Sequence, residues 1–208
     1  MMRLVRMVGL LALLGSTLAL AQQTPPAAPS RTNVRPAMKP QPRPHGQKVK
    51  VDPKLITVDD GDTVSIRWGE DDDEIVRILG IDSPETRHDE HHIPMDQSFG
   101  LEAKAFALGA FSAATEMELL RCSTLDPYAR TLGYLFINGK NYSLMVINAH
   151  LAEESVTLYG DNGLPHLAAE VLQAAKLAGP PPFEPPGLFR NRMRALTTWR
   201  KQASNSPK

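Results

Sequence analysis

The 208 residues allow one domain of ordinary size with extensions, and an apolar content of 42% is enough to build a packed core. The formal net charge of zero hides an uneven distribution, because residues 48–178 carry 11 Lys or Arg against 22 Asp or Glu, and both flanking segments are basic. An acidic body is by itself a poor binder of polyanions, and the single cysteine, Cys122, excludes an internal disulfide.

The first 47 residues are predicted to lie outside the folded domain. Residues 1–21 combine a basic leader, an apolar run and the small-x-small sequence Ala19-Leu20-Ala21, which predicts a cleaved signal peptide and export to the periplasm or the medium. An uncleaved membrane anchor is the alternative. Residues 22–47 are rich in Pro, Ala and Gln and predict a disordered linker.

The stretch from Asp60 to Glu85 predicts a β-hairpin, preceded by a short strand at 54–58. Apolar and polar residues alternate on both sides of an acidic turn at 69–73, which is the pattern of half-buried strands. An antiparallel return of the chain would bring Asp82 and Glu85 close to Asp60 and Asp62. Clustered carboxylates of this kind predict a hard divalent cation with oxygen ligands.

The rest of the domain alternates helices and strands. Residues 101–114 predict an amphipathic helix with Leu101, Ala105, Leu108 and Phe111 on its buried face. Further strands are predicted at 117–121 and 132–137, a tight turn at Asn138-Gly139, and helices at 143–149 and 166–177. Cys122 is expected to be a buried structural thiol.

This order of elements predicts a mainly β fold with α (α+β), a five-stranded barrel of the oligonucleotide-binding (OB) type with about three helices. We assign the domain to residues 48–178 and a Pro-rich, then basic, tail to residues 179–208. The tail either attracts nucleic acid or is a solvated extension with Phe189 or Trp199 packed on the body.

Two isolated arginines in the acidic body, Arg77 and Arg130, have two interpretations. They form ordinary ion pairs, or they bind a phosphodiester beside a cation while a free carboxylate takes a proton from water. Arg77 lies five residues before Asp82, so a bend at the strand end is needed for the two side chains to meet. The histidines at 88, 91 and 92 match no common zinc spacing and are expected in a solvated loop.

Four motifs occur in order: DDGDTVSI, VRILGIDSPETRH, FGLEAKAF and DPYARTLGYLFINGK. Together they resemble the staphylococcal nuclease (thermonuclease) family over residues 49–178. The resemblance implies an OB-type barrel and calcium-dependent cleavage of DNA and RNA that leaves 3′-phosphate ends. It also implies roles for eight residues: Ca²⁺ ligands Asp62, Asp82 and, through its backbone carbonyl, Ser83; general base Glu85; phosphate-binding Arg77 and Arg130; nucleotide-contacting Tyr128 and, as a partial substitute, Tyr159.

The sequence also departs from the family pattern. Pro127 stands at a position where a lysine contacts phosphate, and residues 152–160 lack the expected pair of tyrosines. The leading hypothesis is an exported, calcium-dependent endonuclease that acts on DNA and RNA as a monomer without a stable protein partner. The alternatives are a catalytically weak or inactive OB-fold module that binds nucleic acid or protein, and a structural or calcium-storage role.

Overall fold

The computed structural model describes residues 38–205, so the predicted signal peptide and residues 22–37 of the predicted linker lie outside the described residues. Within 38–205, no helix combines the length and the apolar character needed to cross a membrane. The strands are β1 (Lys48–Lys50), β2 (Ile56–Val58), β3 (Thr63–Gly69), β4 (Asp72–Ile78), β5 (Ile81–Asp82), β6 (Met117–Leu125), β7 (Thr131–Ile137), β8 (Lys140–Asn141) and β9 (Glu153–Glu154). The α-helices are α1 (Gly100–Ser112), α2 (Tyr142–Asn148), α3 (Val156–Tyr159), α4 (Pro165–Ala178) and α5 (Pro186–Asn205).

Six strands form one curled sheet in the order β1-β6-β7-β4-β3-β2, and β8 extends it beside β7. Adjacent strands are antiparallel except β4 and β7, which run parallel with Val76 opposite Thr131. The predicted α+β class with an OB-type barrel is confirmed. The sheet has more than the five predicted strands because the short strands β1 and β8 also belong to it. These strands contain too few residues for a periodic pattern to be detected in the sequence.

The predicted hairpin consists of β3 and β4, with Val64 paired to Val76. Both valines are buried in the core, as the alternation of apolar residues predicts. The chain then bends at Gly80, whose φ of 84° lies in the region that favours glycine. After this bend, β5 leaves the main sheet and pairs with β9.

The predicted turn and helix signals around α2 and α4 agree with the structure. Asn138 and Gly139 have φ values of 49° and 76°, as a two-residue hairpin turn between β7 and β8 requires. His150, just beyond α2, has a φ of 56°, and α4 ends before Gly179. Cys122 is buried, as predicted.

The predicted buried face of α1 is wrong at three of its four positions. Leu101, Ala105 and Leu108 are exposed, whereas Phe111 is buried as predicted. The buried positions of α1 are instead Gly100, Ala103, Ala107 and Phe111. Small residues on this face let the helix axis approach the barrel closely, and a hydrophobicity pattern does not register that requirement.

The segment ahead of β1 belongs to residues 22–47, which are predicted to form a disordered linker, but it lies against the barrel. Gln41 is buried, and its Nε2 atom donates to Thr131 Oγ1 at 3.1 Å. The backbone N–H of Gly46 donates to the carbonyl oxygen of Arg121 at 3.0 Å. Residues 40–46 therefore contribute contacts to the folded body.

The basic tail forms the helix α5. Phe189 and Met193 are buried beside Ile93, with Leu196 packed against them, in a small apolar cluster separate from the main core. Trp199 is 64% exposed. The expectation that an aromatic residue of the tail packs on the body therefore holds for Phe189 and not for Trp199.

Candidate active site

Asp62 is fixed by the tight turn that precedes β3. Its backbone N–H donates to Asp60 Oδ1 at 2.9 Å, which makes Asp60 a turn-forming residue. Gly61 lies so close to Ser83 that an added Cβ would be 2.7 Å from the Ser83 Cβ. The buried Tyr142 hydroxyl donates to the Gly61 carbonyl oxygen at 2.8 Å. Asp62 is thereby held in the protein interior, with only 1% of its surface exposed.

Arg77 joins the two aspartates that the sequence predicts as cation ligands. In a regular strand, Arg77 and Asp82 would point to opposite faces because they are five residues apart. The bend at Gly80 interrupts the strand before β5, so this alternation no longer applies. Arg77 Nη1 donates to Asp62 Oδ1, and Nη2 donates to Asp82 Oδ1 at 2.6 Å. The bend that the sequence required for convergence is therefore present.

Glu85 is positioned by the loop and helix that follow it. Its backbone N–H donates to Gln97 Oε1 at 3.1 Å, and its carbonyl oxygen accepts from the Gln97 N–H at 2.9 Å. At the start of α1, an added Cβ on Gly100 would lie 2.3 Å from the Glu85 carbonyl oxygen. The Glu85 side chain is 14% exposed, so it reaches the edge of the buried cluster.

The second guanidinium of this group comes from α5. Arg190 Nη2 donates to Asp82 Oδ2 at 2.8 Å, and Nη1 donates to Asp82 Oδ1 at 3.0 Å. The same Nη1 atom also donates to Glu85 Oε1 at 2.5 Å. Three carboxylates, Asp62, Asp82 and Glu85, therefore share two guanidiniums in one partly buried group, which we call the carboxylate cluster.

Burial and the two arginines shift the pKa values in different directions. Burial raises the pKa of Asp62 to about 7, although the charge of Arg77 opposes this shift. Burial acts in the same direction on Asp82, but the hydrogen bond from Arg190 and the charge of Arg77 outweigh it and hold the pKa of Asp82 below its usual range. Burial raises the pKa of Glu85, against the hydrogen bond from Arg190. A carboxyl with a raised pKa beside ionised partners is typical of sites that transfer protons.

A comparison with protein families matches residues 75–178 to the family described as staphylococcal nuclease homologue. The match covers half of the chain. The protein belongs to this family. Membership supports a nuclease-type hydrolase at the family level and nucleic acid as the class of substrate.

The part of this staphylococcal nuclease homologue that matches the family contains Arg77, Asp82, Glu85 and Arg130. Asp62 lies ahead of the matched residues and joins the cluster through the hairpin. Arg190 lies beyond them. The cluster thus combines side chains of the matched segment with Asp62 from before it and Arg190 from after it.

Arg130 lies at the flank of the carboxylate cluster rather than inside it. Its Nε atom donates to Asp126 Oδ2 at 2.7 Å, and its guanidinium stacks near the ring of Tyr128 at 5.7 Å. Arg130 directly precedes β7, whose first residue, Thr131, lies opposite Val76 on β4. Among the described hydrogen bonds, none joins Arg130 to the three carboxylates.

The remaining predicted site residues have different surroundings. Ser83 is buried, and its backbone N–H donates to Asp62 Oδ2 at 2.6 Å. Tyr128 is 79% exposed beside Arg130. Tyr159 ends α3 and is 50% exposed. Both tyrosines present accessible rings, and their contact with a nucleotide stays a prediction.

A second group of potential metal ligands lies beside the same turn. One ligand atom from each of Asp59, Asp60 and His88 lies within 4.8 Å of the others. Asp60 already accepts a hydrogen bond from the backbone of the turn, and Thr86 Oγ1 lies 3.0 Å from His88 Nε2. Local hydrogen bonds therefore account for two of these three side chains.

Arg190 is the residue of the cluster that the sequence did not indicate. Two signals in the chain point towards it. The tail is basic while the body is acidic, and Phe189, Met193 and Leu196 follow the spacing of one helix face. These signals predict a helix that packs on the body, but not which arginine meets which carboxylate.

Proposed function

We propose that the protein is an exported, calcium-dependent endonuclease that hydrolyses phosphodiester bonds of DNA and RNA with little sugar specificity and leaves 3′-phosphate ends. The observation that carries the proposal is the convergence of Asp62 and Asp82 on Arg77, with Glu85 joined to Asp82 through Arg190, beside an OB-type barrel. The family match supports nuclease-type chemistry. The basic leader and Ala19-Leu20-Ala21 support export.

The donor atoms of the cluster suit a calcium ion. Asp62, Asp82 and the Ser83 carbonyl offer only oxygen atoms, which are the ligands that hard divalent cations prefer. When bound there, the cation would polarise a phosphoryl oxygen of the substrate. Asp62 and Ser83 are both buried and joined by a hydrogen bond, so this part of the donor set is already ordered.

The side chains of the chain divide the remaining tasks of hydrolysis. Glu85 accepts a proton as water forms a bond to phosphorus, and the bond between phosphorus and the 5′ oxygen breaks, with the 5′ oxygen taking a proton from solvent water as it leaves as a hydroxyl. The raised pKa of Glu85 favours proton uptake by this carboxylate. Arg77 and Arg130 bind the charged oxygens of the phosphate.

Degradation of single-stranded DNA tests the proposal. The purified protein is incubated with the DNA in calcium or in a chelator, and the ends of the products are analysed. Calcium-dependent degradation with 3′-phosphate ends is expected. A shift of the DNA in a gel without degradation would instead support a binding module. If the DNA is neither degraded nor shifted, a structural or calcium-storage role would be supported.

A further inference from the structure

The contact between Arg190 and the carboxylate cluster uses the same atoms that a cation would need. Arg190 donates to both carboxylate oxygens of Asp82 and to one oxygen of Glu85. Asp82 Oδ1 also accepts from Arg77, so both oxygens of Asp82 already have charged donors. A guanidinium and a divalent cation compete for Asp82, because both are positive and both draw on its carboxylate oxygens.

The helix that carries Arg190 is attached to the body by few contacts. Its buried apolar contacts are Phe189 and Met193 against Ile93, in a cluster that does not join the main core. At its start, Gln97 Nε2 donates to the Glu184 carbonyl oxygen at 2.6 Å. Because these contacts are peripheral, α5 is expected to leave the body without unfolding the barrel.

Gln97 links the position of α5 directly to Glu85. Its Oε1 atom accepts from the Glu85 N–H, while its Nε2 atom donates to the segment that leads into α5. A movement of the segment that leads into α5 can therefore be transmitted to Glu85 through the side chain of Gln97. The docked helix and the conformation of Glu85 are coupled by this bridge as well as by Arg190.

We propose that Arg190 is an internal competitor of the divalent cation, so that binding of the cation and docking of α5 exclude each other. This inference rests on the proposed function, since it takes the carboxylate cluster as the cation site. In the docked state Arg190 occupies Asp82 and Glu85 and keeps the site inactive. When the cation binds, Arg190 is displaced and α5 loses its charged contact with the body. By linkage, the factor by which docking of α5 weakens binding of the cation equals the factor by which the bound cation weakens docking.

Calcium titration of the full chain by calorimetry tests this competition. Arg190→Gln is expected to bind calcium about 5- to 150-fold more tightly than the parent, the range of typical coupling between two sites. Met193→Asp, which disturbs the apolar cluster of α5 without touching a carboxylate, is expected to tighten binding in the same direction. Arg194→Gln removes the same charge from an exposed position of the same helix and is expected to leave the affinity near that of the parent.

Limited trypsin digestion gives a readout that does not depend on catalysis. Calcium is expected to accelerate cleavage within α5 of the parent, and Asp82→Asn controls for effects of calcium on trypsin because its cleavage rate should not respond. Met193→Asp is expected to be cleaved rapidly with or without calcium. Cleavage of the parent that is indifferent to calcium would overturn the proposal.

Degradation of DNA by the same preparations separates two kinds of failure. Equal calcium affinities in the parent, Arg190→Gln and Arg194→Gln, with DNA still degraded, would overturn the competition alone. Weaker DNA binding in Arg190→Gln with unchanged calcium affinity would overturn it too, and would make Arg190 a substrate-binding residue. If no variant binds calcium and none degrades DNA, both the proposed function and the proposed competition fail.

Discussion

Gly100 and Glu85 are in such close contact that a Cβ on the glycine would lie 2.3 Å from the carbonyl oxygen of the glutamate. A distance this short forces the backbone to move if any side chain is added. The first residue of α1 therefore sets the position of the carboxylate that we propose as the general base.

Gly100→Ala should displace the segment that carries Glu85. We expect a loss of about 1–3 kcal/mol in the free energy of unfolding, as for other overpacked sites, and a loss of roughly 10- to 100-fold in turnover. Urea denaturation and a DNA cleavage assay measure the two effects. Gly109→Ala is the matched control, because a Cβ there meets nothing within 4 Å. That variant should be stabilised by about 0.5–1 kcal/mol and keep its turnover.

Arg130→Ala should lower turnover by about 10²- to 10³-fold, because it removes one positive charge that stabilises the transition state at the phosphate. The cleavage rate of single-stranded DNA in calcium measures this effect. Arg67→Ala provides the control, since Arg67 also pairs with a nearby aspartate, Asp73, but lies exposed towards the far end of the hairpin. A parental rate for Arg130→Ala would contradict the role of Arg130.

The raised pKa of Asp62 has a consequence for stability as a function of pH. The carboxyl of Asp62 has a pKa near 3.8 in the unfolded chain and about 7 in the native state, so the native state binds the proton more tightly. As the pH rises from 3.8 to about 7, Asp62 therefore lowers the stability of the native state. The side chain of Asp62→Asn does not titrate. We therefore expect the stability of Asp62→Asn relative to the parent to increase with pH across this window, by at most about 1.4 kcal/mol per pH unit.

Urea denaturation in a chelator, at about pH 4.5 and about pH 7.5, measures that difference on the two sides of the transition. The comparison with the parent at each pH cancels the contributions of titrating groups that lie away from Asp62. A stability difference that stays constant with pH would mean that Asp62 is fully ionised throughout.

Much of the hairpin and its carboxylates could be predicted from local sequence. Alternation of apolar residues identified β3 and β4, and the tight turn at Asp60 to Asp62 brought the acids to one end of the hairpin. The motifs also singled out Arg77, as a phosphate-binding residue, and its ion pairs with Asp62 and Asp82 correspond to the alternative interpretation of this arginine. These features depend on short-range spacing, which a single sequence records well.

The missed features depend on contacts between distant segments. The buried face of α1 follows the small residues Gly100, Ala103 and Ala107 because the helix lies close to the chain at Glu85. Arg190 reaches the site only because α5 docks beside Ile93, more than ninety residues earlier in the chain. The spacing of Phe189, Met193 and Leu196 predicts a helix that packs on the body, but it does not predict that Arg190 meets Asp82 and Glu85.

The cleavage rate of Glu85→Gln tests the central claim most directly. The substitution keeps the size and hydrogen-bonding capacity of the side chain but removes its ability to take a proton from water, so turnover in calcium should fall by about 10²- to 10⁴-fold. Glu154→Gln is the matched control, because Glu154 lies on β9 beside β5 and its carboxylate accepts only from the Thr157 N–H among the described hydrogen bonds. The account predicts a parental rate for Glu154→Gln and a strong loss for Glu85→Gln. Equal rates in both variants would contradict the assignment of the carboxylate cluster as the active site.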